Sequence, residues 1–115
     1  MAGDLNDEAQ AATTQILLGP PGSEIGMPGY DQPDAGDGAR LWNLAALIPE
    51  PERYSRIYRG RRELIDHLLV SHALRGSVTA VTTSQIELPS ITDNPQTQRN
   101  HPGSDHRPVI ATLTP

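Results

Sequence analysis

The run Leu64-Ile65-Asp66-His67-Leu68-Leu69-Val70 decides how this chain is read. Five of its seven residues are aliphatic and follow one another almost without alternation. That is the pattern of a strand covered on both faces, as in the sheets of α/β proteins. Such a strand needs a layer on either side. Asp66 interrupts the run, and an ionised carboxylate taken out of water without a partner costs on the order of several kcal/mol. Asp66 therefore either meets an imidazolium or turns to solvent and pairs with an arginine. Its chain neighbour His67 is not the partner, because successive side chains on a strand point to opposite faces.

Working outward, Tyr54–Tyr58 alternates weakly, and Ser77–Ile86 is rich in Val and Thr, the composition of a strand. Val109–Leu113 reads as a last short strand with Pro108 at its start, where a missing N–H is tolerated. At the other end, Asp7 is a good helix N-cap, with Gln10 in capping-box position. Ala9, Ala12 and Ile16 recur at helical spacing until Gly19-Pro20-Pro21, which predicts a helix over 8–18. Residues 40–48 carry Leu41, Leu44, Leu47 and Ile48 on one side of a short amphipathic helix closed by Pro49. Two stretches are non-periodic: Gly19–Gly38, in which ten of twenty residues are Gly or Pro, and the polar loop Ser90–Ser104. A structureless loop of the first one's length is unusual inside a compact domain and tends to be functional or disordered.

Composition explains why the pattern is sparse. Of 115 residues, 24 are Leu, Ile or Val, none is Phe, and only Trp42 and three tyrosines are aromatic. The core is thin for the length, and one firm helix cannot cover a doubly buried strand, so the chain reads as part of a larger layered core. The absence of cysteine excludes disulfide scaffolds, thiolate zinc sites and thiol nucleophiles. No apolar run approaches the roughly 20 residues of a membrane span, and Met1 leads into Ala-Gly-Asp-Leu-Asn-Asp, unlike a secretory leader. A cytoplasmic location is expected for the chain as written.

The net charge of −5 is unevenly spread: residues 1–52 hold nine acids and one arginine, residues 53–115 five acids and eight arginines. Arg53, Arg56, Arg59, Arg61 and Arg62 crowd into ten positions. They read either as a phosphate-facing patch or as a solvated strand edge and turn whose charges discourage edge-to-edge pairing. The second reading is preferred, and an acidic chain is a poor case for strong non-specific DNA binding.

Three polar islands abut the strands: Gly3-Asp4-Leu5-Asn6-Asp7, Asp66-His67, and Ser104-Asp105-His106-Arg107-Pro108. Asp4 and Asn6, two apart at a strand end, can face one crevice, where ligands of α/β sheets commonly bind. Singly, each island is equally well a turn, a helix cap or a paired surface acid.

In order, Gly3-Asp4-Leu5-Asn6, Asp66-His67-Leu68-Leu69-Val70-Ser71 and Ser104-Asp105-His106-Arg107-Pro108-Val109 resemble the C-terminal half of the endonuclease/exonuclease/phosphatase superfamily. The resemblance covers essentially the whole chain. It implies half of a four-layered α/β sandwich of the DNase I-like kind, a mixed sheet with flanking helices and long loops. It also implies hydrolysis of phosphate esters with Mg²⁺ or Mn²⁺. Carried over residue by residue, His106 contacts the scissile phosphate or activates water, and Asp66 orients it. Asp4 serves as general acid or base, Asn6 donates to phosphoryl oxygens, and Asp105 helps to hold the metal. The substrate is left open among nucleic acid, phospholipid and small phosphate esters, since loops choose it.

The family's N-terminal half supplies an Asn and a metal-binding Glu that have no counterpart here. The 115 residues are therefore expected to be a partial domain, residues 1–115 of one, impaired without its other half. The alternative expectation is a catalytically inert half-domain that acts as an interaction or association-prone fragment. Calcineurin-like phosphatases also begin on Gly-Asp, but their Gly-Asn-His-Asp motif is absent.

Overall fold

The computed structural model describes residues 1–17, 40–94, 96 and 103–115. These form a mixed α/β structure, rich in strands and poor in helix. Its strands are β1 Ala2–Asp4, β2 Leu41–Asn43, β3 Arg56–Tyr58, β4 Arg61–Glu63, β5 Asp66–Ser71, β6 Val78–Thr83, β7 Ser90–Ile91 and β8 Val109–Leu113. The α-helices are single turns, α1 Ala12–Gln15 and α2 His72–Arg75, and two 3-10 turns cover Leu44–Leu47 and Glu50–Glu52. The strands assemble as β1-β5-β2, β4-β3-β7 and β6-β8.

β5, which takes up the opening run only from Asp66 onward, leaving Leu64 and Ile65 outside the strand, is the hub. β1 lies antiparallel on its first half, with Asp4 opposite Asp66, and β2 lies antiparallel on its second half, with Trp42 opposite Val70. Both faces of β5 meet protein, but unequally. His67 and Leu69 are each 2% exposed. Leu68 and Val70 are half-buried against the main core of Leu44, Ala45, Ile48, Leu64 and Val81, to which β6 and β8 add Val78, Val109 and Ala111.

Two predicted helices are much shorter than expected. Of the described residues 8–17 only the turn Ala12–Gln15 is helical, and its N-cap is Ala11. Asp7 instead accepts from the Glu8 N–H (3.1 Å) and the Thr13 hydroxyl (2.6 Å). The stripe offers only two alanines and Ile16, which is 79% exposed, so little burial offsets the unfavourable nucleation of a helix. Over 40–48 the helical spacing loses to pairing with β5. Leu41–Asn43 is extended, and a 3-10 turn begins only where the Asn43 carboxamide oxygen accepts from the Ala45 N–H (2.9 Å).

The expectations for Tyr54–Tyr58, Ser77–Ile86 and Val109–Leu113 correspond to β3, β6 and β8. Arg59-Gly60, with φ of 48° and 78°, makes the two-residue hairpin turn between β3 and β4, the primed type whose twist suits a hairpin. Within the polar loop 90–104, Ser90–Ile91 adds to β3 in parallel. The loop Gly19–Gly38 lies outside the described residues. Among those described, no helix is long and apolar enough to cross a membrane.

Candidate active site

The β1–β5 register places Asp4 directly opposite Asp66. Directly opposed residues share a sheet face, with Cβ atoms about 5 Å apart, and two like charges there repel. A third group enters from the loop before β8. His106 Nδ1 lies 2.7 Å from Asp66 Oδ2, and both side chains are 22% exposed. Because a carboxylate oxygen only accepts, Nδ1 carries the proton. His106 Nε2 has no hydrogen-bond partner among the described residues. One ligand atom from each of Asp4, Asp66 and His106 falls within 4.8 Å of the others. A cleft of about 300 Å³ opens beside them, lined in part by Gly3, Asp66, Ser104, His106 and Arg107. A slightly larger hollow, about 330 Å³ between Glu8, Gln15, Arg53 and Arg62, contains none of the three groups.

The loop that delivers His106 is built from its own polar residues. Ser104 Oγ accepts the His106 N–H (3.0 Å), and the Arg107 N–H donates to the Ser55 carbonyl (2.8 Å). The Arg107 guanidinium sits 4.1 Å from the centre of the Tyr54 ring and is 8% exposed. Pro108 closes the loop, its carbonyl accepting from the Ser84 N–H (3.0 Å).

The other expected residues divide. Asn6 turns the chain at a φ of 52°, so the alternation of a strand no longer governs where it points. Its backbone N–H donates to Asp4 Oδ1 (2.7 Å), and its carboxamide is exposed; the link between Asp4 and Asn6 is an Asx-type turn. Asp105 is half-buried next to His106 but is not one of the three converging groups.

His67 faces away from the site, as strand alternation requires. Its Nε2 lies 2.8 Å from the Asp7 carbonyl, which can only accept, so Nε2 donates. Its Nδ1 lies 3.1 Å from the Asn43 carboxamide nitrogen, which donates because the carboxamide oxygen already serves Ala45. One donating and one accepting nitrogen is the bonding of a neutral ring, and the contact to Asp7 holds the turn after Asp4 down on β5. Asn43 and Ser55 are the structural residues that the sequence reading missed. Asn43 had a signal, a carboxamide inside Leu41-Trp42-Asn43-Leu44 that has to be satisfied once buried; Ser55 had none.

The arginine cluster forms the β3–β4 hairpin and its approach, and every one of the five has an internal partner. Arg53 donates to the Ile48 carbonyl (2.8 Å), Arg56 pairs with Glu63 (2.7 Å) and Arg61 with Glu8 (3.0 Å). Arg59 pairs with Asp93, and Arg62 lies over Tyr54 at 4.4 Å. The Tyr58 hydroxyl also donates to Asp93. That bond raises the phenol above its ordinary pKa and holds the Asp93 carboxyl below its own.

No protein-family model, curated protein or solved structure matches this chain.

Proposed function

We propose that this chain forms the catalytic corner of a divalent-metal-dependent phosphoric ester hydrolase, arranged like the C-terminal half of a DNase I-like four-layered sandwich. The observation that carries the reading is the Asp66–His106 hydrogen bond beside Asp4. Three segments far apart in the chain meet there, and they are the three whose motifs suggested the family. Two opposed carboxylates are an unfavourable arrangement in isolation and a sensible one around a cation.

The donor set fits the implied metal. Two carboxylates and no sulfur suit Mg²⁺ or Mn²⁺, and the His106 imidazole is left for water or phosphate. Asp4 contributes the carboxylate not already bonded to an imidazole, and the resemblance adds Asp105. When bound, such an ion neutralises charge on the phosphoryl group and activates water. The chain's own residues do the rest. Asp66 fixes the His106 tautomer and stabilises the imidazolium, leaving Nε2 to take a proton from water or to hold a phosphate oxygen. The Asn6 carboxamide, exposed beside Asp4, donates to a phosphoryl oxygen.

Hydrolysis of bis(p-nitrophenyl) phosphate in saturating Mn²⁺ or Mg²⁺ tests this. Rates are expected to be low, because the metal-binding Glu that the resemblance implies has no counterpart here and the ion is held more weakly without it. His106→Ala is expected to lower the rate by about 10² to 10⁴, and Asp4→Ala to abolish metal dependence. Activity surviving both changes overturns the assignment.

A second reading, an inert fragment that associates through uncovered surface, draws on Ile86, Ile110 and Leu113, which are 51%, 46% and 46% exposed on and beside the two-stranded β6–β8 sheet. It predicts concentration-dependent association in sedimentation velocity and no metal-dependent turnover. A monomer that melts cooperatively counts against it.

A further inference from the structure

We infer that Ser55 is the positioning residue that holds Asp66 and His106 in register, an inference that rests on reading this pair as catalytic. Asp66 begins β5 and His106 lies just before β8, but no ladder joins these strands: β5 pairs with β1 and β2, and β8 pairs with β6. A contact of 2.7 Å across forty residues therefore needs another tie. Ser55, fully buried, supplies it from both sides.

Its Oγ accepts the Ile65 N–H (3.1 Å) and the Asp66 N–H (3.2 Å), standing in for a neighbouring strand where β4 ends and β5 has barely begun. Its carbonyl accepts the Arg107 N–H (2.8 Å), one residue beyond His106. Its own N–H donates to the Glu63 carbonyl (2.9 Å), which anchors it to the β3–β4 hairpin. One residue thus grips the backbone at Asp66 and immediately after His106. A hydroxyl is the side chain that does this in so small a space, since its two lone pairs take two N–H groups at once. Displacements of about 1 Å at a reacting pair are costly, and supporting groups of this kind are typically worth about 10- to 100-fold in activity.

The test compares Ser55→Ala with Thr83→Val. Thr83 is also buried, and its hydroxyl donates to the Glu52 carbonyl (2.7 Å), but it touches neither Asp66 nor His106. In ¹⁵N-histidine-labelled protein, the hydrogen-bonded Nδ1–H proton of His106 is expected in the wild type and in Thr83→Val, and lost in Ser55→Ala. The His67 Nε2–H signal persists in all three as the internal standard. In the bis(p-nitrophenyl) phosphate assay, kcat is expected to fall about 10- to 100-fold in Ser55→Ala with KM little changed. Should Ser55→Ala lose its circular dichroism spectrum, Ser55→Cys, near in size and a weak acceptor, replaces it under the same criterion. Retention of the His106 signal in a folded Ser55 variant overturns the inference. A wild type that shows the signal but no metal-dependent hydrolysis counts against the phosphoesterase reading alone and leaves the spectroscopic criterion to decide on Ser55.

Discussion

Two polar regions of this molecule, the arginine-rich hairpin and the corner where β1 meets β5, both looked suited to phosphate, and they are organised in opposite ways. In the hairpin every cation has an internal answer: a carboxylate for Arg56, Arg59 and Arg61, a carbonyl for Arg53, a ring for Arg62. In the corner, Asp4 and Asp66, of like sign, face each other across the ladder, and the His106 imidazole bonds Asp66. A surface that neutralises itself has little left for a ligand, whereas one that gathers unneutralised acceptors is suited to a cation. The internal pairing of the arginines agrees with the reading preferred from the sequence, a strand edge and turn; the pairing of the charges separates the two regions.

The largest effect on stability is expected beneath the corner. His67→Ala removes a buried ring and leaves the Asn43 carboxamide and the Asp7 carbonyl without their partner, at about 3 kcal/mol. A shift in the urea midpoint measures it. A loss below about 1 kcal/mol would mean that the corner is no better supported than the hairpin. Next comes the hairpin turn. Gly60 has a φ of 78°, so Gly60→Ala strains the backbone and is expected to cost about 1 kcal/mol or slightly more in the same titration, without changing turnover.

Arg61→Ala sharpens the contrast further. Its pair with Glu8 is 67% and 42% exposed, so the change is expected to cost less than about 0.5 kcal/mol and to leave phosphodiesterase activity intact. A steep loss of activity would reinstate the hairpin as a phosphate site.

The smallest effect concerns the Tyr58–Asp93 tie between the hairpin and the chain after β7. The Asp93 pKa is lowered, so its contribution is present above the unfolded carboxyl pKa and lost as pH falls through the folded one. The Tyr58 pKa is raised, so its contribution is present below the unfolded phenol pKa and lost as pH rises through the folded one. The tie is thus complete around neutrality and released at both extremes. Asp93 is exposed and Tyr58 only half-buried, so salt should weaken it. Tyr58 ring resonances followed against pH in wild type and Asp93→Asn test this, and an identical Tyr58 titration in the two would break the assignment.

How far the sequence could be read depended on whether a residue's role was local. β5, β6 and β8 were legible because Val, Leu, Ile and Thr runs state a strand wherever they lie. Asp66 was legible as a residue needing a partner, because an acid in an apolar run is a problem visible in one dimension. Helix 8–18 was misjudged because its spacing was right but its apolar side chains were too small to dock. The segment 40–48 was misjudged because pairing with β5 outweighed a helical period. Asn6 was placed by alternation, which its positive φ cancels.

From the sequence alone came the strand that organises the fold, the need of Asp66 for a distant cation or donor, and the opposite facing of His67. These follow from side-chain chemistry and the period of a strand, which do not depend on the rest of the molecule. Only the tertiary structure decided that His106 answers Asp66, that Asp4 lies directly across the ladder, and that the arginines are spent on internal pairs. Those facts are distances between segments that share no sequence neighbourhood, set by strand register and by the grip of Ser55 on two backbones at once.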